Sequence, residues 1–447
     1  MSVRRSRSAA WTAAIVGLVV TVWLFYPGFA TYDTAAQWYQ VRHGTYDNHH
    51  PPLMALFWSL SEPLIPGPGG PFLVQAMFYW GALGLLAGAL FSTAIAQVCM
   101  VLIAGFSPPL FGLLAHVWKD VALMAWLMFA GAVLVLERQR PDGHRGLLIL
   151  ATLAIVVAAA LRHNGLAAVL PLTLWVAWRA LGSPLARRLR TLLVGMGAFA
   201  LVAVLAHLPE RLPQVRQVQF WPTLALWDLA AVSIAEDRVL IPVELQKRPL
   251  TVTDLRTHFD PSVNVPLFAP DLIRVSLVEP YSRVELERLK NAWLAMPLAY
   301  PASYLAHRWR LVRALIGWPA AGIPPPQDVM PGHATLGDNP PIAVPRWAGR
   351  DAAIAALQAL SGTPVLAAWP WLLASVPLAL TLWRRRRSTL APLGLIVLAS
   401  AWCYALPLAI FAASAELRYL PWTLAGIAIA AGIAIADREV ARPPSDP

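Results

Sequence analysis

The chain of 447 residues has only two cysteines, Cys99 and Cys403, and both lie inside apolar runs. That excludes a disulfide framework and a cysteine-based metal site, and it makes both thiols packing residues. Charge is scarce as well: Asp, Glu, Lys and Arg make up 13% of the chain, about half the share of a typical soluble domain. Hydrophobic residues make up 58% and the mean hydropathy is +0.56, more than a water-soluble core of this length could bury. Acidic residues are fewer than basic ones, 24 against 35, for a net charge of +11. The basic residues stand in short clusters between apolar runs, without the continuous stripe and interleaved aromatics of a nucleic-acid surface. No nucleic-acid partner is expected. No internal repeat recurs at a fixed period, which argues against solenoids and inverted-repeat transporters.

What remains is an all-α polytopic membrane protein. A crossing helix needs about 20 mostly apolar residues, which places spans at 9–26, 72–91, 92–107, 110–136, 147–161, 165–180, 191–208, 363–383, 389–411 and 419–436. The apolar run of the first span, and the spans that follow it, favour a retained helix over a cleaved signal. Residues 53–66 are interrupted by Glu62, Pro63 and Pro66, and read as a helix lying in the membrane interface.

About ten crossings put every basic cluster on one side: Arg4, Arg5 and Arg7; Arg138, Arg140 and Arg145; Arg179, Arg187, Arg188 and Arg190; Arg384 to Arg387; and Arg438 with Arg442. Short cytoplasmic loops are enriched in Lys and Arg, so both termini are expected in the cytoplasm. Residues 27–71, the turn at 162–165, the stretch 209–362 and the segment 416–419 then face outward. Three parts follow: a transmembrane module at 1–208 carrying the first external loop (27–71), an external region at 209–362, and C-terminal helices with a cytoplasmic tail at 363–447. Within the external region, 209–300 is polar, Tyr300 to Trp318 is a short amphipathic segment lying on the membrane surface, and Ile323 to Pro345 is a proline-rich loop or lid.

Polar residues that this topology brings to the outer surface carry any chemistry. Asp33 follows the first span by a few residues; it caps the next helix, takes a proton from a hydroxyl, or holds a divalent cation. His49 and His50 precede Pro51-Pro52, which force an extended turn. Adjacent side chains diverge, so one imidazole is expected to contact substrate or metal, the plainer alternative being a polar interfacial turn. His116-Val-Trp118-Lys119-Asp120 is expected in the first turns of the 110–136 span. There Lys119 and Asp120 either neutralise each other or bind substrate. Arg162-His163-Asn164-Gly165 closes a tight hairpin, and Arg418-Tyr419 opens the last span. Each arginine either snorkels to lipid headgroups or grips a phosphate bidentately. Together Lys119, Arg162 and Arg418 favour an anionic ligand at membrane depth.

An N-terminal span, an external loop with Asp33, a short helix and the turn His50-Pro51-Pro52-Leu53 together resemble the opening of GT-C-fold glycosyltransferases. These multispan enzymes use polyprenyl-phosphate-linked sugars. The Lys119-Asp120, Arg162-His163-Asn164-Gly165 and Arg418-Tyr419 elements look similar to those of a bacterial branch of that superfamily. The resemblance implies that Asp33 is the catalytic or metal-organising residue. It also implies that His49, His50, Lys119, Asp120, Arg162, His163, Asn164, Arg418 and Tyr419 bind substrate. The donor would be a polyprenyl-phosphate sugar, the lipid partners those of a bacterial inner membrane, and the active site extracytoplasmic. Two departures stand out. The first loop leads with one acid where relatives show an adjacent pair, which weakens the case for a metal. The region after 209 is smaller than the domains of oligosaccharyltransferases, which argues against transfer onto protein asparagine. The alternative, a transporter or flippase of a lipid-linked or anionic substrate, requires intramembrane charge reaching both faces and helices broken near the midplane.

Overall fold

The computed structural model describes residues 7–140, 144–182, 188–268, 272–273, 281–319, 322–323 and 329–441. Arg4, Arg5, Arg187 and Arg442 of the basic clusters, and residues 324–328 of the proline-rich stretch, lie outside these. The fold is helical: α1 (Ser8–Phe25), α2 (Tyr32–His43), α3 (Leu53–Ser61), α4 (Gly69–Leu90), α5 (Ala94–Gly105), α6 (Pro108–Leu114) and α7 (Lys119–Arg138) come first. Then follow α8 (Arg145–Leu161), α9 (Gly165–Leu181), α10 (Arg188–His207), α11 (Trp221–Ala235), α12 (Val252–His258), α13 (Arg283–Ala299) and α14 (Pro301–Leu315). The chain ends with α15 (Ala348–Ala359), α16 (Trp369–Arg384), α17 (Ala391–Ala405), α18 (Leu408–Phe411) and α19 (Pro421–Ala441). Two short strands, β1 (Tyr46–Asp47) and β2 (Val215–Arg216), pair in parallel, Tyr46 opposite Val215.

Among the described residues, five helical segments are long and apolar enough to cross a membrane: α1, α4, α7, the part of α10 from Leu189, and α17 continued through α18. A sixth arises if α5 and α6, bent by 65° at their break, count as one. Ten crossings are not established by this measure, because α8 and α9 have 17 residues each and α16 has 16. Large apolar side chains point outward from α1 (Ile15, Val19, Trp23), α10 (Leu189, Leu193, Leu201) and α16 (Leu373, Leu380, Trp383). This is the surface of a membrane-embedded helical protein, whose exterior has no water to avoid. Cys99 is also exposed, on α5, and is not the packing residue its apolar context suggests.

The expected span 110–136 is broken. Ala115 closes α6 and residues 116–118 leave the helix, because the backbone groups here find partners outside it: Phe29 N–H donates to the Ala115 carbonyl (2.8 Å) and Val117 N–H to the Phe29 carbonyl (3.0 Å). The Gln75 amide donates to the His116 carbonyl (2.6 Å), and the Thr34 hydroxyl to that of Val117 (2.8 Å). Non-helical backbone survives at such depth only when partnered in this way. Gly28, at φ +93°, turns the chain into this bridge, and a Cβ there would stand 2.6 Å from Val117. Small residues also set the helix spacing: the Trp80 ring of α4 lies between Gly17 of α1 and Gly105 of α5, where a Cβ on either would come within 2.3 Å.

The ends of α1, α8 and α17 meet the starts of α7, α9 and α19 at one end of the bundle. Arg138, Arg179 and Arg385 of the basic clusters gather at the other. There Arg179 forks onto buried Glu137 (2.7 and 3.0 Å), Arg138 donates to the Thr389 carbonyl (2.9 Å) and Arg385 to that of Ala434 (3.0 Å).

The middle region is less polar than expected. Helix α11 is apolar and almost wholly buried under α12, α13 and α14. Its Asp228 is fully buried and takes Arg308 (2.5 Å), His307 (3.2 Å) and the Trp293 indole (2.9 Å). Helix α14 thus turns His307 and Arg308 inward while Leu305 and Trp309 are exposed. The described part of the proline-rich stretch is a strap pinned beside α2. Ala30 and Gly332 bond through the backbone (3.0 Å), and Asn339 donates to the Ala35 carbonyl (2.8 Å).

Candidate functional site

At the loop-rich end lies a cavity of about 1820 Å³, larger than the roughly 300–1,000 Å³ usual for small ligands. Its walls come from α2, the turn after β1, the heads of α7, α9 and α11, residues 263–268, and the segment 407–419. Nine of the ten residues singled out by sequence reach it: Asp33, His49, His50, Lys119, Arg162, His163, Asn164, Arg418 and Tyr419. Asp120 does not. Its side chain is 2% exposed and sits behind Arg162, with which it forms an ion pair, so it holds Arg162 from outside the cavity lining.

Asp33 belongs to the first turn of α2, but Thr31 occupies the cap position. The plainer capping role therefore falls away, and the carboxylate is free to point elsewhere. Its Oδ2 accepts from Arg418 Nη1 (2.6 Å) and its Oδ1 lies 3.7 Å from His50 Nε2. The other ring nitrogen of His50 contacts Lys119 Nζ. Arg418 in turn reaches Glu416 (Nε to Oε2, 2.5 Å), and its guanidinium lies over the Trp118 and Tyr419 rings at 5.4 and 5.5 Å. The Arg162 guanidinium stacks 4.5 Å from the Tyr419 ring centroid. Tyr419 thus serves both arginines, and its hydroxyl is fixed by Ser414 (2.8 Å).

Three expectations need correction. Lys119 and Asp120 do not neutralise each other, because successive residues on α7 face different partners: Lys119 meets His50 and Asp120 meets Arg162. Both adjacent histidines line the cavity, their rings 4.7 Å apart edge to face, because the turn before Pro51 is extended and bent. The three cations are not a bare anion clamp either. Arg418 has two carboxylate partners and Arg162 one, which leaves Lys119 as the cavity cation with no ion pair to a carboxylate among the described residues.

Burial alone would raise the Asp33 carboxyl, but the Arg418 charge first, and Lys119 with it, outweigh that and hold the group well below the usual carboxylate range. His50 is driven well below the ordinary histidine value, by burial first and the Lys119 charge second. His49 follows the same causes. Burial and Lys119 push His163 down to about 4. At neutral pH the cavity therefore holds an ionised Asp33 among neutral imidazoles. His116 is not part of it. Burial drives its pKa to about 3, and the ring accepts the Met330 backbone N–H (2.9 Å), which ties down the strap.

A divalent ion at Asp33 does not fit this arrangement. Both carboxylate oxygens face positive or N–H-bearing groups, and the one cluster of potential metal-ligating side chains among the described residues excludes Asp33. Sequence reasoning missed Asp47, which lies 3.8 Å from Arg216 across the β1–β2 pairing, and the aromatic wall of Phe220, Trp221 and Trp293. No motif announces them, since the pairing joins residues 169 positions apart. Comparison with known proteins finds no family model, no curated protein and no solved structure that matches this chain.

Proposed function

We propose that the protein is an integral-membrane glycosyltransferase of the GT-C type, moving a sugar from a polyprenyl-phosphate donor to a hydroxyl on a lipid, glycan or other acceptor. The observation that carries this reading is the meeting of Asp33 with Lys119, Arg162 and Arg418 in one large cavity at the end of the bundle opposite the basic clusters. On the positive-inside rule that end is extracytoplasmic, with α1, α4, α5, α7, α8, α9, α10, α16, α17 and α19 as the ten crossings of a bacterial inner-membrane protein.

In this mechanism the acceptor oxygen attacks the anomeric carbon opposite the phosphate. The bond from carbon to phosphate oxygen breaks, and the phosphate leaves with the electron pair. Lys119 and the unused N–H groups of Arg162 and Arg418 stabilise the negative charge that develops there. Asp33 accepts a hydrogen bond from the attacking hydroxyl and takes its proton late, because a carboxylate held so low is a weak base. His50 bridges Asp33 and Lys119 and keeps their spacing. The charged residues that line the cavity gather at one end of the bundle, which favours chemistry there over passage of a substrate between faces.

Purified protein incubated with a panel of polyprenyl-phosphate sugars, read by mass spectrometry, is expected to transfer or release sugar from at least one of them. Turnover of none, by protein that melts cooperatively, would overturn the reading.

A further inference from the structure

Beside the cavity, and distinct from its Asp33 pole, three side chains converge from separate elements: His163 in the turn between α8 and α9, His207 at the end of α10, and Glu210 in the single turn that follows. One donor atom of each lies within 4.8 Å of the other two, and His163 Nδ1 stands 3.5 Å from Glu210 Oε1. Around a tetrahedral ion with bonds of about 2.0–2.1 Å, adjacent donors stand roughly 3.3 Å apart.

The histidines are also oriented for such a role. His163 Nε2 faces the Asn48 carbonyl (3.3 Å) and His207 Nδ1 faces the Ala203 carbonyl (2.8 Å). A carbonyl only accepts, so each of these nitrogens carries the proton, which leaves His163 Nδ1 and His207 Nε2 with lone pairs. Anchoring the distal N–H on a backbone carbonyl is the support that metal-ligating imidazoles ordinarily have. The His163 ring is further held by stacking on Phe220 at 4.5 Å.

We propose that His163, His207 and Glu210 form a binding site for a divalent transition ion of the zinc class. Two imidazoles and a carboxylate suit such an ion, and three protein donors leave a fourth position for water. The ion ties the 209–221 segment, which supplies Gln214, Arg216, Phe220 and Trp221 to the cavity wall, to the turn that carries Arg162. It lies outside the proton-transfer scheme above, so its presence and the transfer activity are separate questions.

The test uses full-length protein in detergent, freed of any polyhistidine tag and stripped with chelator. Cobalt(II) titration is expected to give one bound equivalent with the visible bands of a four-coordinate ion, displaced by one equivalent of zinc. Glu210→Gln is expected to weaken cobalt binding by more than about tenfold. In the unmutated protein, zinc is expected to protect His163 and His207, but not His333, from diethylpyrocarbonate, as read by peptide mass spectrometry. Absence of stoichiometric cobalt binding, or equal labelling of His207 with and without zinc, would overturn the site even if the Glu210 variant could not be purified.

Discussion

Two clusters in this molecule are built from the same three residue types. Asp33 meets Arg418 and His50 at the cavity, and Asp228 meets Arg308 and His307 beneath α11 and α14. The aspartate-to-arginine distances are nearly equal, 2.6 and 2.5 Å. What differs is accessibility and surplus. The Asp228 side chain is 0% exposed and its cluster closes on itself, with Trp293 completing the carboxylate and the Ala412 carbonyl taking Arg308 (2.8 Å). The Asp33 side chain is 28% exposed and opens onto a cavity, and its histidine leads on to a lysine that has no carboxylate of its own. Composition alone does not separate the two clusters; an unused valence facing a space does.

Substitution should break this likeness. Asp33→Ala is expected to cut sugar transfer by about 10²–10⁴-fold and to lower the melting temperature less than loss of Asp228 does, since Arg418 keeps Glu416 as a partner. Near-normal turnover would remove Asp33 from the chemistry. Asp228→Ala should do the reverse, destabilising the fold by about 3–5 kcal/mol, because it strands Arg308 and His307 without their counter-charge. A thermal melt indistinguishable from the parent would show that the buried cluster carries no stability.

Smaller effects sharpen the contrast. Lys119→Met is expected to lower affinity for the lipid-linked donor by about 10–100-fold, the worth of one charge-assisted hydrogen bond of roughly 1.5–3 kcal/mol. Arg162→Gln should weaken donor binding less, since Arg162 already has a carboxylate partner, so an Arg162 loss exceeding that of Lys119 would reverse the roles assigned here. The smallest effect is one of pH. His50 is buried and its folded pKa lies well below 6.5, so on acidification the unfolded chain binds the proton first. That loss of stability is absent above about pH 6.5 and grows below it. Asp33, with its pKa depressed, contributes stability that is present above about pH 3.9 and lost only below it. Between pH 6.5 and 4 the melting temperature should therefore fall, and His50→Gln should flatten that fall; an unchanged slope would mean that His50 is not neutral in the folded state.

The membrane class, the helical fold and the convergence of residues as distant as Asp33 and Arg418 were legible in the sequence, because apolar runs and isolated charges within them carry strong costs. Partner choice was not. Which of Lys119 and Asp120 faces His50 and which faces Arg162 depends on how α7 is rotated against its neighbours, and hydropathy does not fix that angle. The break at 115–118 was hidden because its cause, Phe29, lies far away along the chain. Helix α11 was read as part of a polar region because its apolar face is covered by amphipathic neighbours that are themselves polar in sequence. The tie between β1 and β2 rests on main-chain bonds that leave no mark in residue identity.

The backbone bridge between Phe29 and residues 115–117 has a wider meaning. Asp33 stands four positions beyond one side of it and Lys119 two positions beyond the other, so amide-to-carbonyl bonds act as a caliper on their separation. The facing wall comes from residues 214–224 and 263–268, which are tied through β2 to β1 and through the Val263–Ser414 bridge to the segment before Arg418. In the proposed reaction, a change of side chain in that wall would recast the shape of the acceptor admitted while the gauge between carboxylate and ammonium stays fixed.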